Sequence, residues 1–513
     1  MSTYTVTRND DPAIPSTGLS LRDAIILANA NPGSTIVFAV TGTIDLDLGE
    51  LQISASMSIN GPGANILTVR RFSANLFRIF NIISNGLTVN ISGLTIENGS
   101  LSTSSARGGG LLNDTTSTLT INECQFQNNV LTGIFSQGGA ISTSVINPNI
   151  LRLFNSTFNN NSSSNAGGAL NIQECDAIII NCTINNNACS VGGGVSLSND
   201  STLTMINCTI TQNTADNSGG GLFIFDATTS IDIGNTIVAQ NTAVASPITS
   251  DIRLFNATFT SLGNNLYGIL NNPTGPNDQF GTLETPLDPD LMVLANYGGP
   301  TTTRLPNATS PVIDTGSDAL VITYFTPFPQ LYVNGMEYRD QRNFYRIINI
   351  TDIGAVEFGS TLICFSGKSM VLTKNIETGE IKEIKAKRVL ANVHLVYDVK
   401  DNIFVPIVYN IVTGPINRFI KIKKDALGVD QPNKDFYVTS GHKIMIDGKA
   451  IKTKHIKQGK RVKVKAQKIY SICTEKQIAI KVNGLSVMTW GLEEFMIYSK
   501  SKNLLWHDNK VDI

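Results

Sequence analysis

No lysine and no histidine occurs in the first 367 residues of this 513-residue chain. That stretch therefore lacks the imidazole that most often moves protons near neutral pH, and the amine that serves as a base or imine former. Charge is scarce throughout, with Asp, Glu, Lys and Arg making up 15% of residues, which points to a weakly charged, β-rich surface. Seven cysteines, an odd number in so long a chain, do not make a disulfide framework and read as thiols. There is no run of 18 apolar residues, so no membrane-spanning helix is expected. The opening Met1-Ser2-Thr3-Tyr4-Thr5 lacks the basic-then-apolar pattern of a signal peptide. Display outside a cell would need another route. Disorder is excluded by 41% hydrophobic residues, enough for a sizeable core.

What is present is divided sharply. Every lysine lies at or beyond Lys368, as do His394, His442, His455 and His507. Residues 1–359 hold 12 arginines and 26 acids, a balance of −14; residues 360–513 hold 27 lysines and arginines and 14 acids, a balance of +13. With the length, this reads as two domains of different chemistry. The C-terminal lysines are scattered along strand-like stretches with little aromatic interleaving, a solvated face rather than a nucleic-acid surface. No nucleic-acid partner is assigned.

Leu21, Ala24, Ile25 and Ala28 predict an amphipathic helix over 20–30, with Ser20 as N-cap and Pro32-Gly33 as the stop, then a short strand over 35–39. A lone helix ahead of a β array is expected to cover the open end of a solenoid. From about Gly86 the chain repeats itself. Glycine corners fall at 108–110, 138–139, 167–168, 192–194 and 219–221, about 25–29 residues apart, which suits one turn of three short strands. The following strands align Cys124/Phe126, Ser156/Phe158, Cys182/Ile184, Cys208/Ile210 and Asn235/Ile237. Behind them come Asn128-Asn129, Asn159-Asn160-Asn161, Asn185-Asn186-Asn187, Gln212-Asn213 and Gln240-Asn241. Stacked asparagines can bond amide to amide along the axis and also tolerate left-handed corners. The aligned cysteines then form an inert interior ladder.

Five motifs occur in order: Leu19-Ser20-Leu21-Arg22-Asp23-Ala24, Tyr297-Gly298-Gly299-Pro300-Thr301, Ser310-Pro311-Val312-Ile313-Asp314-Thr315-Gly316, Asp340-Gln341-Arg342 and Asp352-Ile353-Gly354-Ala355-Val356-Glu357. Together they resemble the choice-of-anchor Q family of extracellular right-handed parallel β-helices, over about residues 5–358. The resemblance implies a surface-displayed, adhesin-like or pectate-lyase-like rod, usually without an assigned reaction. No polysaccharide-cleaving activity is expected, because glycoside hydrolysis needs convergent carboxylates. Arg107, Arg152 and Arg253 read as standing without nearby paired acids, and Glu174 with Asp176 come nearest to a pair, two residues apart on one strand face. Surface glycans or other surface or capsid proteins are the partners implied; no cofactor or metal is called for. No heptad pattern demands an oligomer, and the oligomeric state stays open.

After Phe358 the pattern changes to short strands with charged hairpins, at Ile376–Ile381 and Ile446–Ala450. We divide the chain into a β-helix over 1–358, a junction over 359–363 and a compact all-β domain over 364–513. Cys364 at the start of that domain, with Thr439-Ser440-Gly441-His442 further on, resembles the Hint (hedgehog/intein) superfamily. The resemblance implies that Cys364 attacks the carbonyl of Ile363, His442 protonates the departing nitrogen and Thr439 polarises the bond. The stretch Phe404–Asn410 carries no acid of the kind used in sterol transfer, and the end lacks the His-Asn of splicing. Two readings stand: a single-turnover thioester cleavage at Ile363/Cys364, or an inactive Hint-like module in a structural protein of a virion or cell surface. The structural role is the better reading for His394, His455, His507 and Cys473.

Overall fold

The computed structural model describes residues 2–12, 17–143, 149–270, 275–307, 309–333, 337–344, 346–347, 350–358, 365–391, 393–438, 443–446, 449–453, 456–476, 478–491, 505–507 and 510–512. The chain divides into two compact units, Met1–Phe358 and Gly359–Ile513.

The first unit is a parallel β-solenoid of about nine turns. Three sheets run its length: ten strands from Thr3–Val6 to Thr258–Gly263, ten from Gly42–Leu46 to Gln279–Phe280, and eight from Leu51–Ile53 to Ile252–Phe255. Each strand pairs in parallel with its counterpart one turn on, roughly 4.8 Å away. Inward side chains therefore stack in columns, as in Leu119, Leu151, Ala177, Leu203 and Ile231. All five are buried in one continuous core, so burial is shared along the rod rather than gathered at a centre.

The corners explain the repeat. Gly108, Gly138, Gly167, Gly192 and Gly219 adopt φ of 61–70°, which a side chain would strain. In four of the corners the next glycine donates to the turn beyond, as Gly109 to Gly138 O and Gly139 to Gly167 O at 3.2 Å. A Cβ at Gly139 would run into the carbonyl of Gly168 and the backbone of Ser162.

At the opposite corner the asparagine pairs divide the two tasks the sequence suggests. The first residue takes the left-handed backbone: Asn128, Asn160, Asn186, Gln212 and Gln240 have φ of 54–60°. The second points inward. Asn129, Asn161, Asn187, Asn213 and Asn241 are buried. Each of the first four donates from Nδ2 to the Oδ1 of the next at 2.9–3.0 Å.

Cys124, Ser156, Cys182 and Cys208 do stack in one interior column, but the next member is Thr236, not Asn235. The register pairs Thr209 with Ile237 and Ile210 with Val238, one residue away from the alignment expected. Ile237, Val238 and Ala239 are all buried, so alternation, the only guide to register in sequence, is lost there.

The helix α1 (Leu21–Ala30) is closed at its start by a reciprocal capping box between Ser20 and Asp23. Leu21, Ala24, Ile25 and Ala28 join the solenoid core with Val6 and Ile36. Arg22 holds Asp11 with both Nε and Nη2, at 2.7 and 2.8 Å, and also donates to the carbonyls of Gly49 and Glu50.

The chain from about Pro289 to Phe358 returns along the solenoid. Its helix α2 (Asp318–Phe325) supplies Val321 and Phe325, which with Leu331 and Tyr338 cover Phe154, Ile180 and Ile206. Val312 and Ile353 cover Ile237, Ala239 and Leu266. We call this segment the strap.

The second unit is an antiparallel β region. Met370–Asn375 and Ile381–Lys385 form a hairpin around Gly379, as expected, and Lys443–Ile446 pairs with Lys449–Lys452. Asn483 and Gly484, at φ 49° and 80°, turn a third hairpin. The long strands Ile403–Ile422 and Gly459–Thr474 pair with one another. Val371, Val396, Ile422, Phe436 and Val487 lie in its core.

The split within the asparagine pairs can be tested. Asn187→Ala strands the buried amides of Asn161 and Asn213, and should cost about 3 kcal/mol or more in a denaturant titration. Asn186→Gly, one residue earlier at φ 54°, should change stability by less than about 1 kcal/mol. Equal effects would contradict the ladder.

Candidate functional site

Between the first-sheet and second-sheet strands lies a two-residue corner whose leading residue is left-handed: Glu123, Asn155, Asn181, Asn207, Asn235 and Asn264, with φ of 49–56°. These side chains and carbonyls are where the strap is seated. Asn343 donates to Glu123 at 2.8 Å, Thr301 to Asn155 O at 3.2 Å, and Asn181 to Arg339 O at 2.7 Å. Asn235 and Ser317 exchange two bonds at 2.8 and 2.9 Å, Gly354 N–H reaches Asn235 O at 2.7 Å, and Asn264 donates to Thr315 O at 2.9 Å. Gln341, fully buried, donates to Thr157 at 2.8 Å and accepts from Thr183 at 2.6 Å.

Inside the strap lies a cluster of charge that the sequence reading used only as motif. Asp340 accepts from Arg342 Nη2 at 2.7 Å and Nε at 3.0 Å, and from the Arg342, Phe344 and Glu357 amides at 2.9–3.0 Å. Arg342 also donates to Glu357 O at 2.7 Å. Asp352 accepts from the Asp314 amide at 2.7 Å and from the Phe358 amide, and its own amide donates to Glu357 Oε2 at 2.9 Å. Arg346 donates to Gly354 O and, through Nε at 3.2 Å, to the Asn207 amide oxygen. Asp340, Arg346, Asp352 and Glu357 are each 0% exposed. Burial pushes the Asp352 carboxyl up to about 6 and Glu357 well above the usual carboxylate range. With no face open to substrate, this group acts as a structural lock.

Other expectations for the solenoid change. Arg107 forms a two-pronged pair with one acid, Asp114. Glu174 and Asp176 do not lie on one strand, because Glu174 precedes the strand Cys175–Ile180 with φ 44°, while Asp176 accepts from Thr202. Among the described residues, no group of three or more His, Cys, Asp or Glu could hold a metal ion, and no helix is long and apolar enough to cross a membrane.

The residues assigned to cleavage, Ile363, Cys364, Thr439 and His442, lie outside the described residues, as does His455 and as do the side chains of Cys473 and His507. The strands on their flanks are described. Phe365–Ser366 pairs antiparallel with Phe436–Val438 through Phe365 and Val438, and with Gly459–Thr474 through Phe365 and Tyr470. His394 has a structural role, its Nδ1 accepting from the Leu390 amide at 3.2 Å. Burial lowers its pKa.

No family model matches the chain, and comparison with curated proteins finds no similar one.

Cys124, Cys175, Cys182, Cys189 and Cys208 are buried free thiols. Burial pushes Cys124, Cys175, Cys189 and Cys208 up to about 12 and Cys182 well above its usual value. Iodoacetamide at pH 8 should leave all five unmodified in native protein and alkylate them after denaturation, as read by peptide mass mapping. Native labelling at any of them would contradict a closed interior.

Proposed function

We propose that the chain is a display rod, a right-handed β-helix covered at its N-terminal end by α1, joined to a Hint-like domain that severs the Ile363–Cys364 peptide once. In this reading the rod works at a cell or virion surface and meets surface glycans or other surface or capsid proteins. The observation that supports the cleavage is the pairing of Phe365 with Val438. It joins the strand that follows Cys364 to the strand that precedes Thr439 and His442, the arrangement a nucleophile and its proton donor require.

The chemistry balances without a cofactor. Cys364 Sγ, as thiolate, adds to the carbonyl carbon of Ile363. The C–N bond then breaks, His442 supplies a proton to the departing nitrogen, and a thioester remains. Thr439 polarises the bond. Water next attacks the thioester, leaving a carboxylate on Ile363 and returning the Cys364 thiol. A thiol with a pKa of about 8.5 is a few per cent thiolate at neutral pH, and imidazole titrates in the useful range. Amide resonance is the main barrier, to which the β-branched Ile363 adds crowding.

Intact-mass measurement of purified protein, with and without hydroxylamine or dithiothreitol, tests this. Two fragments meeting at 363/364 are expected, and Cys364→Ala should abolish them. An unbroken 55.2 kDa chain under every condition would sink the cleavage and leave a structural surface protein with an inactive Hint-like domain.

A further inference from the structure

Between each second-sheet strand and the following third-sheet strand the chain leaves the rod and returns. The departing legs stack from turn to turn, Val130 beside Ser162, then Ala188, Thr214 and Thr242. The returning legs do the same, Gln137 beside Ala166, then Val191 and Ser218. At the base the chain is pinched: a Cβ on Gly139, Gly168 or Gly193 would run into the backbone of Ser162, Ala188 or Thr214. A loop closed at its base stands off the rod, and its length sets its height. From the inward ladder position to the corner, loops 100–107, 130–137, 162–166, 188–191, 214–218 and 242–248 hold eight, eight, five, four, five and seven residues. Three more residues, shared between two legs at about 3.3 Å each, raise a loop by about 5 Å. The flank is therefore stepped: a two-turn ridge, a three-turn trough about 14 Å wide at about 4.8 Å per turn, and a second ridge.

The ridges carry apolar side chains in water. Ile134 is 67% exposed and Phe135 65% on the first ridge, and Val244 is 65% exposed on the second, where Ile248 is exposed too. Phe135 also holds φ of 60°, a backbone conformation costly for a bulky residue, and here it keeps an aromatic ring in solvent. Nearer α1, Leu48, Phe72 and Leu76 are exposed on the same flank. Charge is nearly absent from the six loops, which hold Arg107, paired with Asp114, and Asp216. The corner between third-sheet and first-sheet strands instead gathers Asp114, Glu174, Asp200 and Asp226. With residues 1–359 at a balance of −14, two copies repel across an acidic flank, and the stepped flank is where they can meet.

We propose that the stepped flank is a contact between two copies of this chain, their rods antiparallel about a two-fold axis that passes between loops 130–137 and 162–166. A two-fold axis sets one surface against itself, so ridge has to meet trough. About this axis it does. Loop 130–137 faces the step between the partner's loops 162–166 and 188–191, and Ile134 and Phe135 enter the trough there. The second ridge falls on the partner's turns 47–50 and 72–78, where Val244 and Ile248 meet the partner's Leu48, the partner's Phe72 and the partner's Leu76. Asp216 falls between the partner's turns 72–78 and 100–107, nearest the guanidiniums of the partner's Arg78 and the partner's Arg107. The contact runs about 34 Å over eight turns and about 20 Å across, for six extended residues, or about 700 Å² on each copy. A stable interface takes about 800 Å² per partner.

Sedimentation equilibrium of the full chain tests this. A species of twice the mass of one chain is expected, or of residues 1–363 if they have been released. The dimer should tighten as NaCl rises from about 50 mM to about 500 mM, because salt screens the repulsion between acidic rods. Ile134→Asp combined with Phe135→Asp should weaken it at least about tenfold, as should Val244→Asp at the other ridge. These side chains are exposed, so circular dichroism should not change. Ile322→Asp, exposed on α2, should dimerise like wild type. A bismaleimide should link Val244→Cys to Leu76→Cys when the two variants are mixed, and should give no link at 244 or at 76 in either variant alone, as read by peptide mass mapping. A chain that stays monomeric up to about 100 µM would overturn the proposal, whatever other protein the flank then serves. So would a dimer that withstands both sets of substitutions, one that dissociates as salt rises, or a 244-to-244 link, which belongs to parallel rods.

Discussion

Everything in the solenoid depends on satisfying an asparagine amide inside an apolar core, which only another turn of the same rod can do. An amide has both a donor and an acceptor, so a stack of amides has a direction. Here Nδ2 of each turn gives its proton to Oδ1 of the next, and the same oxygen also takes the backbone N–H of the residue before it, as when Asn161 N–H reaches Asn187 Oδ1 at 2.9 Å. A directed stack needs different ends. At the start, Gly99 N–H donates to Asn129 at 2.9 Å with no side chain of its own to satisfy. At the far end an asparagine would present a donor with nothing beyond it, and the residue is instead Asp251, an acceptor alone. It takes both Asn241 donors, at 2.8 and 3.1 Å, and the Ile269 amide at 2.7 Å. A second row closes the same way, Asn265 giving its proton to Asp278 at 3.1 Å. The carboxylates thus mark where stacking stops, at some cost, for burial pushes Asp251 up to about 6.

This repeat was legible because each turn writes the same residues at the same places. Glycine at a left-handed corner and asparagine before an inward amide are demands of backbone geometry and hydrogen bonding, met locally, and sequence reports local demands well. The helix α1 was legible for the same reason. The strap was not, since many of its contacts with the rod span well over a hundred residues of chain: Gln341 meets Thr157 and Asn343 meets Glu123. A signal did exist. Ile180, Ile206 and Ile237 sit at positions that should face water on a bare rod, and each is buried under the strap. The same disturbance misled the alignment at Asn235/Ile237, where an apolar outward residue was taken for an inward one.

In the second unit two of the three hairpins were read from turn chemistry, the one at Asn483-Gly484 was not, and the charge partition was legible from composition alone. The chemistry proposed for Cys364 and His442 rests on a resemblance together with the pairing of Phe365 and Val438, which is a property of backbone topology. Side-chain geometry at the junction is a matter of fractions of an ångström, and no pattern of residue types carries that information.

The position of the lock bears on the proposed scission. Among the described residues, the solenoid's own hydrogen bonds end at Phe358, whose amide is held by Asp352, and at Glu357, whose carbonyl is held by Arg342. Phe358 precedes Ile363 by five positions. A break after Ile363 would therefore remove none of the residues that seat the strap, and the rod would keep both its covered corner and its buried charges. The proposed scission would in this sense leave the hydrogen bonds that seat the strap intact.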